Sequence, residues 1–167
     1  MFCHFSYCSD KEARTHDYEP DWDYDIISLN NHKYFQRTLH PVAIRLAQEL
    51  AANHHPGFEV ILVKKEEFGD HIGAYMDGTG SLPVIGLDPD KITEICYGKN
   101  ISLKHGIEST LAHEIAHGIQ DSMGLLEEAD SDELEDAAET FAAYYIESGS
   151  VDFDLLEFSA MSIEHHV

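Results

Sequence analysis

Basic residues are scarce in this chain of 167 residues: ten Lys plus Arg stand against 32 Asp plus Glu, a formal net charge of −22. That deficit excludes a phosphate-backbone binder, because such a surface repels nucleic acid and attracts basic or metal partners. The scarcity is uneven. No Lys or Arg follows Lys104, whereas residues 105–167 hold 16 of the 32 acids. Cysteine is sparse too: Cys3, Cys8 and Cys96 make no disulfide framework and agree with a reducing compartment. No run approaches the roughly 18 consecutive apolar residues of a bilayer span. The opening MFCHFSYCSD lacks the order of a secretion signal, so a cytoplasmic protein is expected. With 11 Gly and 5 Pro, collagen-like and low-complexity architectures are excluded as well.

What is present is the composition of a globular protein, 43% hydrophobic and 10% aromatic, at a length that suits one domain. Residues 1–40 read as an irregular lead-in, with acids and aromatics interleaved from Asp17 to Asp25, and residues 41–167 as a single domain. From Pro41, in a first turn where proline is tolerated, Val42, Ile44, Leu46, Ala47, Leu50 and Ala51 predict a helix ending before His55-Pro56-Gly57. Phe58 to Val63 is a β-branched run that predicts a buried strand. Residues 69–90 predict a hairpin or two adjacent strands, with Ile72, Ala74 and Met76 alternating before Asp77-Gly78 and Leu82, Val84 and Ile85 after it. Ile92 to Tyr97 is too short to place. A long helix is expected from about Ser102 to near Gly124, and an acidic one from Asp130 or Ser131 to about Ser148, where Asp130 and Glu133 have capping-box spacing. A last short helix is expected within 151–167. The fold class is α+β, with a small mixed sheet against two long helices.

His113-Glu114-Ile115-Ala116-His117 carries the chemistry. Histidines at i and i+4 of a helix project from one face and can both ligate zinc, with the intervening glutamate placed as general base. Zinc lowers the pKa of a bound water and polarises a carbonyl, the requirements of peptide hydrolysis. The chain holds 12 His, so the surroundings of the motif matter. Leu111, Ile115 and Ile119 set it on a helix with a buried neighbouring face, and Ala112 and Ala116 admit a close partner. A catalytic zinc needs a third protein ligand. The position six residues beyond His117 is Met123, which leaves a carboxylate on the following helix. Glu135 lies far enough on for that helix to return antiparallel, and its face carries the small Ala138 and Ala142. Glu139 and Glu133 are rivals for the ligand, and Glu139 is also a candidate to hold a ligating histidine's ring N–H.

The stretches Ser109-Thr110-Leu111-Ala112-His113-Glu114-Ile115-Ala116-His117-Gly118 and Glu135-Asp136-Ala137-Ala138-Glu139-Thr140-Phe141-Ala142-Ala143 resemble the zinc helix and the following helix of the ImmA/IrrE-type zinc metallopeptidases of bacteria and their mobile elements. The resemblance covers about residues 41–148. It implies a zincin-like fold, zinc held by His113, His117 and Glu135, Glu114 as catalytic base, and a protein substrate. The acidic C-terminal half further points to a basic substrate such as a DNA-binding protein. Two rivals from other classes are an acidic decoy that mimics DNA and a proteolytically silent interaction protein.

Other polar groups are weighed against plain structural roles. Cys3, His4, Cys8 and His16 could form a small second metal site, against an ordinary N-terminus with free thiols. The pairs His54-His55 and His165-His166 point their rings apart and read as exposed or capping histidines. Tyr75, Tyr144 and Tyr145 are candidate oxyanion donors set against core or rim placement.

Overall fold

A β-branched run builds the middle of the sheet, and helices cover one of its faces. The computed structural model describes residues 5–7, 25–26, 32–64, 73–76, 82–125 and 130–156. Strands β1 (Phe5–Tyr7) and β2 (Asp25–Ile26) precede helix α1 (Lys33–Ala52). Strands β3 (Phe58–Lys64), β4 (Gly73–Met76) and β5 (Val84–Leu87) follow, then helices α2 (Pro89–Lys99), α3 (Leu103–Ser122) and α4 (Ser131–Ser148). The architecture is mixed α+β and mostly helical. The sheet order is β1-β3-β5-β4. Strands β1, β3 and β5 are parallel, β4 returns antiparallel on β5 with Tyr75 opposite Ile85, and β2 pairs antiparallel with the last two residues of β3.

Side chains alternate across a strand, and here both faces are apolar. Phe58, Val60 and Leu62 with Ile85 and Leu87 join the main core under the helices, while Ile61, Val63 and Val84 are buried on the opposite face. The core is completed by α1, α2, α3 and α4, with Leu39, Leu46, Leu50, Ile92, Ile107, Leu111, Ile115, Phe141 and Tyr145 among its buried members. Helix α3 is the hub. It packs on α1, α2, α4, β4 and β5, and only His113, Glu114, His117 and Asp121 interrupt its buried surface over 110–121.

Three features depart from the sequence-based expectation. Helix α1 starts at Lys33, so Pro41 lies inside it rather than in its first turn. A proline in a helix interior costs about 3 kcal/mol. The extra turns bury Phe35 and Leu39, each worth about 1.5–3 kcal/mol, which offsets that cost. Part of the stretch expected to be irregular is therefore regular, since β1 and the start of α1 both fall within residues 1–40. The segment left unplaced around Ile92–Tyr97 is a full helix, α2, with Asp88 accepting from Lys91 N–H at 3.0 Å as N-cap, Pro89 in the first turn and Asn100 closing it in the left-handed conformation.

The two long helices fall where expected. Ser102 caps α3 by accepting from His105 N–H, and Asp130 caps α4, accepting from Asp132 N–H at 3.2 Å. Gly149 ends α4 at φ 78°, a left-handed cap that glycine adopts without strain. Of the last short helix, a single helical turn at 154–156 is described, and the remainder of that expectation lies outside the described residues.

Candidate metal centre

The i, i+4 spacing on α3 places the imidazoles of His113 and His117 side by side, ring centroids 4.8 Å apart. Their Nε2 atoms are 3.2 Å from each other. Helix α4 returns across them, and Glu135 reaches both: Oε2 is 2.9 Å from His113 Nε2 and Oε1 is 3.0 Å from His117 Nε2. One ligand atom from each residue thus lies within 4.8 Å of the others. The helices approach closely because Ala138 and Ala142 on α4, and Ala112 and Ala116 on α3, are small and buried. Glu135 is the carboxylate that spacing ranks first. Glu133, in the first turn of α4, and Glu139, exposed further along it, do not join the cluster.

A residue the sequence reading passed over orients His117. Gln120, fully buried, donates its side-chain amide to Leu134 O at 3.0 Å. A carbonyl only accepts, so the amide nitrogen lies on that side and Oε1 faces His117 Nδ1, 2.9 Å away. His117 Nδ1–H therefore donates to Gln120, and Nε2 is left to face the cluster. Holding the far ring N–H in this way is how a metal-ligating histidine is fixed in tautomer and direction. Glu139, the sequence candidate for that task, instead lines the pocket beside the cluster. The available signal was a glutamine three residues past His117 on a stripe otherwise filled by Ala116 and Ile119.

The cluster also tests itself for a cation. With Nδ1–H given to Gln120, a neutral His117 turns its Nε2 lone pair toward the Glu135 oxygen 3.0 Å away. Lone pair against lone pair is repulsive unless positive charge sits between them, as protons or a metal ion. Zinc at about 2.0–2.1 Å from each donor in tetrahedral geometry sets donor-to-donor edges of about 3.3 Å. Edges of 2.9–3.2 Å are a slight contraction of that shell. Two imidazoles and one carboxylate also form a donor set that suits zinc.

Glu114 is held from the sheet side. Tyr75 N–H on β4 donates to Glu114 Oε2 at 2.7 Å. Tyr75 runs along α3: its hydroxyl donates to Asp121, and its ring edge lies 3.4 Å from where a Cβ on Gly118 would stand. Gly73 on β4 comes as close, since a Cβ there would be 2.7 Å from Thr110 Cγ2 and 3.4 Å from Glu114 Cγ. The glycine at 73 thus lets β4 press against the face of α3 that carries Glu114, while Gly118 leaves room for Pro83, whose Cβ would lie 2.9 Å from a Cβ there. A pocket of about 650 Å³ opens beside the triad, with Gly73, Thr110, His113, Glu114, Glu135 and Glu139 in its wall, and continues along α4 to Glu147.

The remaining candidates separate. Tyr75 is committed to Asp121, two turns of α3 beyond Glu114, so it is no oxyanion donor in this arrangement. Tyr144 is exposed, and Tyr145 is buried in the wall of a different pocket. His54 takes the left-handed conformation just past the end of α1, at φ 65°, and His55 Nδ1 accepts from Gly57 N–H, so this pair acts at a helix end. Cys3, His4, Cys8, His16, His165 and His166 lie outside the described residues. Cys96 is buried against α3. Among the described residues, no helix is long and apolar enough to cross a membrane. Comparison with protein-family models, curated proteins and solved structures finds no match for this chain.

Proposed function

We propose that this chain is a zinc-dependent metallopeptidase, zincin-like in fold and of the ImmA/IrrE type its two motif helices resemble, acting in the cytoplasm on a protein substrate. The observation that carries the reading is the convergence of His113 Nε2, His117 Nε2 and the Glu135 carboxylate beside a pocket that also contains Glu114. His113, His117 and Glu135 would hold the zinc. Bound there, zinc would supply an electrophile for the substrate carbonyl and raise the acidity of a water.

The chain's own residues do the rest. Tyr75 N–H engages Glu114 Oε2 and fixes the carboxylate against β4, which leaves Oε1 to take a proton from the attacking water. The water oxygen bonds to the carbonyl carbon, the C–N bond breaks, and the proton held on Glu114 passes to the leaving amine. Gln120 keeps His117 aimed during this sequence. Strand β4, last in the sheet order, supports an extended substrate lying alongside it. Glu135, Glu139 and Glu147 around the pocket, with a net charge of −22, favour a basic substrate such as a DNA-binding protein.

Elemental analysis of protein purified without added zinc tests the site. The expected result is about one zinc per chain, falling sharply in His113→Ala and Glu135→Ala. Glu114→Gln should keep the metal and lose cleavage of basic protein substrates. Absence of metal from the wild type returns the chain to the acidic-decoy reading, and metal without cleavage of any protein returns it to the silent interaction protein.

A further inference from the structure

The pocket beside the metal cluster is larger than an ion and a water require: at about 650 Å³ it continues away from His113 and Glu135 as a groove between α3 and α4. Its α3 wall includes His105, eight residues before His113, and its α4 wall reaches Glu147, twelve residues after Glu135. At 1.5 Å per helical residue, those offsets correspond to a groove about 12–18 Å long. Strand β4 leads into it. Gly73 lies against Thr110 and Glu114, whereas the Tyr75 side chain reaches on to Asp121, so β4 runs lengthwise along α3 and its Gly73 end borders the groove. A chain laid along β4 therefore passes Glu114 and continues between the helices.

Along α4 the wall changes character at a regular spacing. Glu139 comes one turn after Glu135, then Ala142, Ala143 and Ile146 follow, and Glu147 closes the series about two turns past Glu139. The alanines leave the middle of the groove wide, and Ile146 makes its side apolar. Among the described residues no Lys or Arg lines the groove, and neither Glu139 nor Glu147 has a hydrogen bond or ion pair. Both carboxylates are exposed at its rim. Eight helical residues separate them by about 12 Å. In an extended chain the side chains of one face recur every second residue, and four residues span about 13 Å. Two side chains four positions apart on an extended peptide therefore match the two carboxylates, and the side chain midway on that face meets Ala143 and Ile146.

We infer that this groove selects the substrate by sequence: it takes an extended segment with a lysine or arginine at each of two positions four apart and an apolar residue midway, the nearer cation on Glu139 and the farther on Glu147. Lysine and arginine meet both demands, since their methylene stems lie on an apolar wall while the charged head reaches a carboxylate at the rim. Glu139 is about 6 Å along α4 from Glu135, so the nearer cation sits about two residues from the scissile bond. That placement rests on the peptidase reading, whereas the match of the segment to the groove does not. Glu139 and Glu147 are then specificity-determining residues.

The probes are three end-blocked alanine-based peptides with a central leucine: one with lysines four positions apart on either side of it, one with the lysines three apart and so on opposite faces of a strand, and one with glutamine in place of both. Each is titrated at low salt into the full Glu114→Gln chain and followed by amide chemical shifts. The expected result is saturable shifts at residues 105–109 and 139–147, with the four-apart peptide bound about fivefold more tightly than either of the others. Glu139→Gln and Glu147→Gln, each added to that chain, should weaken the four-apart peptide about twofold and leave the glutamine peptide unchanged. The inference is overturned by equal binding of the three peptides, by shifts that miss residues 139–147, or by a four-apart preference that survives both substitutions. Wild-type protein separates this inference from the peptidase reading. Cleavage of a basic protein without the peptide preference removes the groove assignment and keeps the peptidase, while the preference without any cleavage keeps the groove assignment and removes the peptidase.

Discussion

Gln120 donates its side-chain amide to the main-chain carbonyl of Leu134 at 3.0 Å, one residue before Glu135. Its other end receives His117 Nδ1–H. A single buried amide thereby sets the tautomer of one proposed ligand and the position of the helix that bears another.

Gln120→Ala should weaken zinc binding by about 10- to 100-fold, the usual cost of removing the partner of a ligating histidine. Competition with a chelator measures it. Unchanged affinity together with reduced stability would restrict Gln120 to holding α4.

Tyr75→Phe removes the hydroxyl that bonds Asp121 and should cost about 1–2 kcal/mol, below the full value for a charged partner because both groups are only part-buried. Urea denaturation of Tyr75→Phe, Asp121→Asn and the double variant reads the coupling. Strictly additive losses would mean that the two side chains do not act as a pair.

His55 gives a pH dependence. Burial holds its imidazole below the ordinary value of 6.5, and its Nδ1 accepts from Gly57 N–H, which requires that nitrogen to be unprotonated. A lowered folded-state value means that the unfolded chain takes up the proton first. The stabilisation is therefore complete above about pH 6.5 and is lost as pH falls from there through the folded-state value. In His55→Asn the side-chain oxygen retains an acceptor without titrating. The difference in stability between wild type and this variant should shrink as pH drops from 7 toward 5, followed by thermal melts. A difference independent of pH would dissociate His55 from the effect.

At the contact of α2 with α3, a Cβ on Gly106 would stand 2.2 Å from Cys96 Sγ. Gly106→Ala should therefore destabilise by about 1–3 kcal/mol through overpacking, despite alanine's better helix propensity. Cys96→Ala makes room, so the double variant should recover much of that loss. No recovery would place the strain elsewhere in α3.

Much of this site is written locally. His113 and His117 share a face because four residues advance a helix by about one turn, and Leu111, Ile115 and Ile119 show which side is buried. Ser102 and Asp130 cap their helices as any serine or aspartate at those positions would. Helix α2 carried readable signals, Asp88 followed by Pro89 and then Asn100, but its few apolar residues, Ile92 and Cys96 among them, made the periodicity too faint to weigh. Pro41 misled for the opposite reason: a strong local rule placed a helix start there, and burial of Phe35 and Leu39 outweighed it.

The sequence by itself determined helices α3 and α4, their caps, the two histidines with the glutamate between them, and a short set of carboxylates from which a third ligand could come. Backbone periodicity and capping act over a few residues, so they are present in any conformation that forms the helix. Only the tertiary structure decided that Glu135 meets both imidazoles, that Gln120 rather than Glu139 holds a ring N–H, and that Tyr75 reaches Glu114 and Asp121 from β4. Those contacts join residues distant in the chain, and their existence depends on the closeness with which α4 and β4 pack on α3. Buried alanines on both helices and the glycine at 73 permit that approach, and the depth of the approach is set by the whole core.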